Sequence, residues 1–416
     1  MRSNYKKLGQ FIREVSVKNK DLSVELLLGV SITKQFIPSI ANTVGTDMSN
    51  YKVVEHHQFA YGPVTSRNGE KISVALLGEE KCIVSTSYTV FEIVDTELLD
   101  PEYLMMWFRR SEFDRYARYM SHGTVRELFG WQEMCDVELP VPSIQRQREI
   151  VREYNVVNDR IALNEQQIQK LEDIALAIYR QWFVDFEFPI SKEYAESIGK
   201  PELEGKPYKS SYGQMKYCDK LGQEIPIIWE CVTINQLIEV RDGTHDSPKS
   251  TNDGHYLVTS KNLQRFTVNF DSANKISKTD YDKINQRSKV ESGDILYSMI
   301  GTIGITTLIQ DKVIDYAIKN VALFRTSQNS ELASFIYFHL KSPWTINYVN
   351  ENLRGSTQSY ISLNCLRNLP VFKINKEIQE FSKHMDQVIR FLNIKEENSV
   401  LLNSLLDSLN TKMVKL

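Results

Sequence analysis

The chain has 416 residues, of which 42% are hydrophobic and 25% are charged, with a formal net charge of −3. This length predicts roughly two to four domains that each bury a core, and no apolar run approaches the ~18 residues needed to span a bilayer. The charge argues against a chain that binds DNA alone through electrostatics, and five cysteines without C-x-x-C spacing predict reduced thiols in a cytoplasmic protein.

The first part of the chain, residues 1–145, is predicted to fold as a mixed α/β domain. The runs KVVEHHQFAYG, KISVALLG and CIVSTSYTVFEIV are rich in the β-branched and aromatic residues that strands favour. Residues Pro101 to Arg118 predict a helix with aromatic side chains on one face. Such a face is more often part of a hydrophobic core than of a ligand site.

A long amphipathic helix is predicted next, over residues 146–187. Its apolar residues recur at alternating steps of four and three, the heptad spacing of a helix that packs lengthwise against another helix. The predicted helix-pairing seam is formed by Ile150, Tyr154, Val157, Ile161, Asn164, Ile168, Leu171, Ala175, Ile178 and Trp182.

A connector rich in Pro, Gly and Lys, residues 188–226, begins a second mixed α/β domain that is predicted over residues 188–372. The segment ESGDILYSMIGTIG, residues 291–304, places glycines around a short apolar run. It lacks the spacing of a nucleotide-binding loop, and Ser298 is not in a G-x-S-x-G context. We therefore predict a strand, a turn and a strand. A further helix with an aromatic face is predicted from Glu331 to Asn347.

The last part of the chain, residues 373–416, predicts a second long helix whose seam repeats the first at a constant offset of 231 positions. The polar interruption is also repeated, since Lys395 corresponds to Asn164, and such a residue often fixes helix register. The second seam is formed by Phe381, Met385, Val388, Leu392, Lys395, Ser399, Leu402, Leu406, Leu409 and Met413.

The whole pattern predicts an internal repeat of α/β (α+β) class: two mixed α/β domains separated by two long antiparallel coiled-coil helices with pseudo-two-fold symmetry. Two separated domains held by a rigid spacer suit the recognition of a bipartite DNA site. A non-catalytic coiled-coil adaptor fits the helices equally well, although it leaves two large and divergent domains unexplained. A third hypothesis is a self-contained methyltransferase or nuclease with unusual motifs.

Several phrases resemble, in their order and spacing, the specificity (S) subunits of type I restriction-modification systems, the HsdS family. GDILYSMIGTIG and STQSYISLNCLRNLPV resemble the middle and end of a target recognition domain. FAYGPVTSRNGEKISVALL and RDGTHDSPK resemble two recognition-domain subtypes, and LPVPSIQRQREIV with IYRQWFVDFEFP resembles the central conserved helix. VFKINKEIQEF departs from the family because it lacks the usual Pro-rich lead into the second helix, which leaves the start of that helix open.

This resemblance implies a DNA-binding subunit for host defence and DNA methylation, without chemistry of its own, in a bacterial or archaeal cytoplasm and not in a membrane. Its implied partners are double-stranded DNA, two adenine-N6 methyltransferase (M) subunits and two restriction/translocase (R) subunits. The chain itself is expected to bind no cofactor, and the assembled complex to use S-adenosylmethionine, ATP and Mg through its partners. In agreement, the sequence lacks a methyltransferase Asn-Pro-Pro-Tyr loop and a Walker loop.

Candidates for DNA contact are polar residues in loop-like segments, because base reading needs paired donors and acceptors and phosphate binding needs Lys, Arg and hydroxyl groups. In the first domain they are Tyr61, Thr65, Ser66, Arg67, Asn68, Ser85, Ser87, Tyr88, His122, Thr124 and Arg126. In the second domain they are Thr244, His245, Asp246, Lys249, Ser260, Lys261, Asn262, Arg265, Ser298, Lys319, Asn320, Arg354, Ser356, Gln358 and Tyr360. No catalytic residue and no metal site is predicted, because the histidines lack partners at zinc spacing.

The two domains differ in their loop chemistry, so we expect the two half-sites to differ. The helices predict half-sites about one helical turn of DNA apart. The isolated chain is expected to bind DNA weakly, because its net charge is negative and its helix faces await partners.

Overall fold

The computed structural model describes residues 4–39, 45–66, 69, 71–78, 80–121, 127–355 and 358–413. The chain divides into two compact units: unit 1 comprises Met1–Leu163 and Ser399–Leu416, and unit 2 comprises Asn164–Asn398. Each long helix contributes residues to both units. We call the part of each unit outside the long helices domain 1 and domain 2. Because the long helices are shared, this division leaves the domain bounds derived from the sequence as a prediction.

The described residues of domain 1 form short strands and three α-helices, as the mixed residue pattern predicts. The strands are β1 (Tyr5–Lys7), β2 (Ile12–Val15), β3 (Leu28–Val30), β4 (Phe36–Pro38), β5 (Lys52–Val54), β6 (Phe59–Tyr61), β7 (Val74–Leu76), β8 (Cys82–Val84), β9 (Thr89–Ile93) and β10 (Glu138–Pro140). The helices are α1 (Pro101–Phe108), α2 (Ser111–Met120) and α3 (Trp131–Cys135), and the first long helix, α4 (Ile144–Phe183), follows.

Domain 2 has the same mixed character, and the second long helix follows it. Its strands are β11 (Met215–Cys218), β12 (Gln223–Pro226), β13 (Cys231–Thr233), β14 (Val240–Asp242), β15 (His255–Val258), β16 (Asn274–Ile276), β17 (Ile295–Ser298), β18 (Thr306–Leu308), β19 (Tyr316–Ile318), β20 (Val321–Phe324) and β21 (Pro370–Phe372). The helices are α5 (Lys192–Ser197), α6 (Lys278–Ser288), α7 (Ala333–Leu340), α8 (Pro343–Glu351), α9 (Leu363–Arg367) and the long α10 (Lys376–Lys412).

The two domains repeat one topology. Domain 1 has a four-stranded antiparallel sheet of order β2-β9-β6-β7, and domain 2 has one of order β14-β20-β17-β18. A two-stranded sheet accompanies each, β1 with β10 and β13 with β21. The predicted internal repeat is therefore confirmed at the level of strand order. Domain 2 adds a three-stranded sheet, β16-β15-β19, with one parallel pair.

Four predicted elements are split in the structure, and one of them is the run CIVSTSYTVFEIV, which contains both β8 and β9. The predicted helix from Pro101 to Arg118 is two helices, because Arg110 has an extended backbone (φ −77°, ψ 143°). The predicted helix from Glu331 to Asn347 also breaks, where Ser342 caps α8 and Pro343 starts it. The run KVVEHHQFAYG is two strands, because a turn that includes His57 at φ 64° separates β5 from β6.

The seam residues explain the packing of the long helices. In unit 1, Ile150, Tyr154 and Val157 of α4 share a buried core with Leu406 and Leu409 of α10. In unit 2, the ring of Tyr179 lies 5.8 Å from that of Phe381, and Asn164 lies 3.3 Å from Lys395. Later residues of α4 thus face earlier residues of α10, so the helices are antiparallel in this unit. The predicted fold class, a mixed α/β chain with two long antiparallel helices, is confirmed.

The solvent-exposed sides of the long helices, which we call their outer faces, carry several hydrophobic residues. Their exposed hydrophobic residues are Val156, Leu163, Ile174, Phe391, Ile394, Val400, Leu401 and Leu405. Among the described helices, none combines the length and the hydropathy that a membrane span needs.

Candidate nucleic-acid interface

Two candidate segments of domain 2 that are far apart in sequence lie side by side. The backbone of Thr244 forms a bridge with that of Lys319: Thr244 N donates to Ile318 O at 3.0 Å, and Asn320 N donates to Thr244 O at 3.1 Å. This approach requires Gly243, because a Cβ atom there would lie 2.2 Å from the oxygen of Ile318. The structure therefore brings residues 244–249 and 318–320 together, as one surface that we call the His245 surface.

His245 is held in one orientation within this surface. Its side chain is exposed, with Nε2 2.9 Å from Asp242 Oδ2 and Nδ1 2.8 Å from Asn320 Oδ1. Asp242 is buried and also accepts a hydrogen bond from Arg287 of α6. Both ring nitrogens of His245 therefore have partners within the chain.

A cavity of about 410 Å³ opens beside His245. Its polar lining includes Thr244, Asp246, Ser247, Asp280, Lys283 and Arg287. Sequence reasoning missed Lys283 and Arg287 of α6. Their i, i+4 spacing on a polar helix, which places two cations on one face, was the available signal.

A second candidate surface, which we call the Arg354 surface, surrounds the turn after β17. Arg354 and Tyr360 exchange backbone hydrogen bonds of 3.0 and 2.8 Å, and Ile361 N donates to Met299 O at 3.0 Å. Arg354, Gln358 and Tyr360 are exposed on this surface. The structure thus places three predicted candidates next to the GDILYSMIGTIG turn.

Ser298 itself holds that turn and is not available to DNA. Its side chain is fully buried, its Oγ donates to the carbonyl of Thr302 at 2.6 Å, and it accepts from the amide of Ile305 at 2.8 Å. β17 and β18 pair on either side, so the predicted strand, turn and strand are confirmed. The prediction that Ser298 contacts DNA is therefore wrong, because its buried hydroxyl group donates one hydrogen bond and accepts another within the turn.

Three more candidates are used by the fold. Tyr61 is fully buried in the aromatic core of domain 1, and burial raises the pKa of its hydroxyl. Thr65 is buried, and its Oγ1 bonds to Ser121 Oγ at 2.9 Å. Asn262 is buried, and its Nδ2 donates to Asn269 O at 3.0 Å. The polar groups of Thr65 and Asn262 therefore form hydrogen bonds within the chain instead of with DNA.

Arg265 belongs to a charged cluster instead of a DNA-binding loop. Its Nε donates to Glu172 Oε2 of α4 at 3.1 Å, and its guanidinium also contacts Glu396 of α10. Burial lowers the pKa of Arg265, but the negative charges of Glu172 and Glu396 outweigh it, and the net shift of the pKa is upward.

The remaining candidates divide into three groups. Exposed ones are Ser66, Ser87, His245, Asp246, Lys249, Lys261, Arg354, Gln358 and Tyr360, and half-buried ones are Ser85, Tyr88, Thr244, Ser260, Lys319 and Asn320. Six candidates lie outside the described residues: Arg67, Asn68, His122, Thr124, Arg126 and Ser356. Within the described ranges, no group of three or more His, Cys, Asp or Glu residues is arranged to hold a metal ion.

In both domains the candidate loops leave the same end of the four-stranded sheet. In domain 2, the register pairs Ser298 with Val321 and Asp242 with Ala322, so β14 and β17 end where β20 begins. In domain 1, Tyr61 pairs with both Thr89 and Val74, so the loops after β6 and before β9 also share one sheet end. Ser66 leaves β6 there, and Ser85, Ser87 and Tyr88 lead into β9.

The contacts at that end of the domain 1 sheet parallel those of domain 2. Val64 forms a bridge with Leu128, and Thr65 N donates to Glu127 O at 3.0 Å. The equivalent contact in domain 2 is a bridge between Ile300 and Tyr360. Ile300 lies in the turn after β17, and Tyr360 lies in the loop after α7 and α8. The equivalent loops of the repeat therefore build equivalent surfaces.

The chain is similar to known proteins of one kind. Residues 226–402 match the model of the type I restriction modification DNA specificity domain. The type I restriction enzyme MjaIX specificity subunit of Methanocaldococcus jannaschii is 23% identical over 342 residues, which cover 80% of this chain and 72% of that protein. The type I restriction enzyme HindI specificity subunit of Haemophilus influenzae is 27% identical over 151 residues, which cover 36% of this chain and 32% of that protein.

A solved structure shows the same fold. The crystal structure of the type I restriction-modification system S subunit from M. genitalium superposes with a TM-score of 0.52 at 11% identity, covering 99% of this chain and 95% of the other. The matched domain, the two specificity-subunit relatives and the shared fold agree with one another. The domain matched by residues 226–402 and the two relatives support an HsdS-family specificity subunit of a type I restriction-modification system, and the solved structure supports the shared fold.

Proposed function

We propose that this chain reads a bipartite, asymmetric DNA sequence, with domain 1 on one half-site and domain 2 on the other. The observation that supports this proposal is the placement of the candidate loops at the same end of the equivalent sheet in both domains. Polar side chains on adjacent loops, held by a rigid sheet, can present donors and acceptors to base edges. The loops differ in sequence, so the half-sites are expected to differ.

The outer faces of α4 and α10 are proposed to dock two adenine-N6 methyltransferase subunits, through which two ATP-dependent restriction subunits join the complex. Exposed apolar side chains on a surface helix, such as Val156, Ile174 and Leu401, are typical of a protein interface. The chain is proposed to perform no chemistry and to leave S-adenosylmethionine, ATP and Mg to its partners. The same exposed residues fit the second candidate function, a coiled-coil adaptor that does not read DNA.

Co-expression with the methyltransferase subunit and mapping of N6-methyladenine on genomic DNA separates these two functions. The specificity function predicts methylation at one asymmetric, gapped motif that disappears when this chain is deleted. A stable complex with an unchanged methylation pattern would favour the adaptor. Exchange of domain 1 for that of a relative should change only one half-site, and a change in both would contradict one domain per half-site.

The His245 surface offers a sharper test in domain 2. Asn320 has a left-handed backbone (φ 54°), so Asn320→Gly keeps the backbone conformation and removes the partner of His245 Nδ1. We expect about tenfold weaker discrimination against mismatches in the second half-site, which corresponds to ~1.4 kcal/mol. Methylation rates on mismatched duplexes measure this. Mismatches in the first half-site serve as the internal control, and an equal loss at both half-sites would contradict the assignment of the His245 surface to one half-site.

A further inference from the structure

Unit 2 contains a buried carboxylate that accepts hydrogen bonds from two cations. Glu172 of α4 is only 4% exposed. Its Oε2 accepts from Arg265 Nε at 3.1 Å, and its Oε1 accepts from Lys341 Nζ and, at 3.3 Å, from the hydroxyl of Tyr337. Arg265, Lys341 and Tyr337 all belong to domain 2, so this carboxylate joins the domain to α4 at three points.

Arg265 also reaches the second long helix. Its Nη1 donates to Glu396 Oε1 of α10 at 2.5 Å, and its Nη2 lies 3.7 Å from Glu165 Oε1 of α4. The backbone of Arg265 is fixed to the four-stranded sheet, because Leu308 N of β18 donates to Arg265 O at 3.1 Å. One residue thus connects the sheet that bears the candidate loops to both long helices. The planar guanidinium group, with several donors in fixed directions, suits this bridging role better than a lysine ammonium.

The cluster is a poor means of adding stability. Charges removed from water lose much of their hydration free energy, and apolar side chains of similar size often stabilise a buried site as well or better. Consistent with that cost, burial raises the pKa of Glu396 despite the neighbouring Arg265. Directional hydrogen bonds, unlike apolar contacts, restrict the rotation of one element on another. The arrangement therefore favours a role in orientation.

We propose that Arg265 is a positioning residue that fixes the orientation of domain 2 on α4 and α10, and thereby sets how strictly the protein discriminates the length of the DNA gap between half-sites. This inference rests on the proposed function, because only a bipartite reader has a gap to measure. Loss of the contacts of Arg265 leaves the base-reading loops unchanged, but it allows the domain to tilt and to meet a half-site displaced by one base pair.

The test uses the purified complex of the full chain with its methyltransferase subunit. Methylation rates are measured on duplexes with the native gap, with one base pair added and with one removed, and on duplexes with mismatched half-sites. Arg265→Gln is expected to reduce gap discrimination about tenfold, the effect of losing a charge-assisted hydrogen bond, with half-site discrimination unchanged. Arg265→Lys should restore part of it, because the positive charge remains.

A matched control is Arg325→Gln. Arg325 is a similarly buried arginine whose Nη1 lies 3.3 Å from Glu239 Oε2 within domain 2. This variant should leave gap discrimination unchanged. If Arg265→Gln does not fold, Glu396→Gln weakens the contact to α10 while the Arg265–Glu172 contact remains, and it should reduce gap discrimination by a smaller factor.

Two results would overturn the positioning role. One is unchanged gap discrimination in folded complexes of Arg265→Gln and Glu396→Gln. The other is a parallel loss of gap and half-site discrimination, which would return Arg265 to the DNA-reading residues. Failure of the proposed function has a different signature, because the wild-type complex would then methylate no gapped motif at all.

Discussion

Domain 1 and domain 2 share one strand order, but they pack against the long helices with different side chains. In unit 1 the seam is mainly aliphatic, and Ile150 of α4 lies against the core of domain 1. In unit 2 the equivalent position is Phe381 of α10, whose ring lies 5.1 Å from that of Phe183 and 6.1 Å from that of Phe338. The repeat therefore keeps the position of a buried side chain while its size and chemistry change.

Basic residues in equivalent links between helices diverge in the same way. Arg110 lies between α1 and α2, and Lys341 lies between α7 and α8, which begin 232 residues after α1 and α2. Arg110 lies 4.9 Å from the Trp107 ring and donates to the carbonyl of Asn410 on α10, whereas Lys341 bonds to the carboxylate of Glu172 on α4. A basic residue between two helices of the domain anchors each domain to a long helix. The comparison teaches that topology and anchoring positions persist in the repeat, while the chemistry of each anchor is free to change.

The largest expected difference between the units follows from truncation at the shared seam position. Phe381→Ala is expected to destabilise unit 2 by about 3–5 kcal/mol, because it removes a fully buried ring from an aromatic cluster. Ile150→Ala is expected to cost unit 1 about 2–4 kcal/mol. Calorimetry measures the loss, and hydrogen exchange of peptides locates it in one unit or the other.

Phe391→Ala is the matched control for Phe381→Ala. Phe391 is a phenylalanine of the same helix that is 46% exposed, so its truncation should cost less than about 1 kcal/mol. Faster hydrogen exchange throughout unit 1 in Phe381→Ala would show that the two units do not unfold separately. The losses of stability in the two variants could then not be compared unit by unit.

A second difference between the domains is a buried histidine. His339 of α7 corresponds to Trp107 of α1, because α7 begins 232 residues after α1. Its Nε2 donates to Pro370 O at 3.0 Å, so its Nδ1 accepts from the Tyr179 hydroxyl at 2.7 Å. Burial lowers the pKa of His339 from 6.5 to about 4. The neutral ring is therefore the form that unit 2 requires.

The pH dependence has a definite sign. The pKa is lower in the folded state than in the unfolded state, so acid favours unfolding. The stabilising contribution is complete above about pH 6.5 and is lost as the pH falls toward 4, by up to about 3 kcal/mol. His339→Phe, which keeps a ring at this position and removes the titratable group, should flatten this dependence. It should also cost about 1–3 kcal/mol at pH 8, because the hydroxyl of Tyr179 and the carbonyl of Pro370 lose a partner.

Chemical denaturation between pH 4 and pH 8 measures both effects. His384→Phe is the control, because His384 is exposed on α10. An unchanged acid sensitivity in His339→Phe would show that another group is responsible for it.

Much of the fold could be predicted from the sequence, because the decisive signals were periodic. The heptad seam located two long helices, and its constant offset revealed the repeat. The breaks at Arg110, His57 and Ser342 could not be predicted in the same way. They depend on single-residue backbone conformations and caps, which interrupt a pattern without changing its period.

The candidate interface was predicted less well. Loop-like composition located the segments around Thr244, Lys319 and Arg354, which the structure places on two surfaces. The same criterion selected Ser298 and Arg265, which serve the fold. Whether a polar side chain bonds to DNA or to its own chain depends on tertiary neighbours such as Glu172, and no local pattern in the sequence specifies those neighbours.

The smallest expected effect concerns Asn164 and Lys395, repeat-related seam residues that contact each other directly. Replacing Lys395 alone with Leu removes the donor at 3.3 Å from Asn164 Oδ1 and should cost about 1 kcal/mol, because a polar group loses a partner within a buried seam. Replacing both residues with Leu should leave the free energy of unfolding within about 1 kcal/mol of the wild type.

If the pair only stabilised the helices, both variants would be destabilised alike. If it specifies register, as single polar seam residues do in coiled coils, the double Leu variant should stay folded and instead self-associate or populate a shifted register. Sedimentation velocity detects self-association, and a cysteine crosslink between facing positions of α4 and α10 detects the shift. A double variant that remains monomeric and keeps the same crosslink would show that the apolar seam residues alone define the register. Asn164 and Lys395 would then not be needed for it.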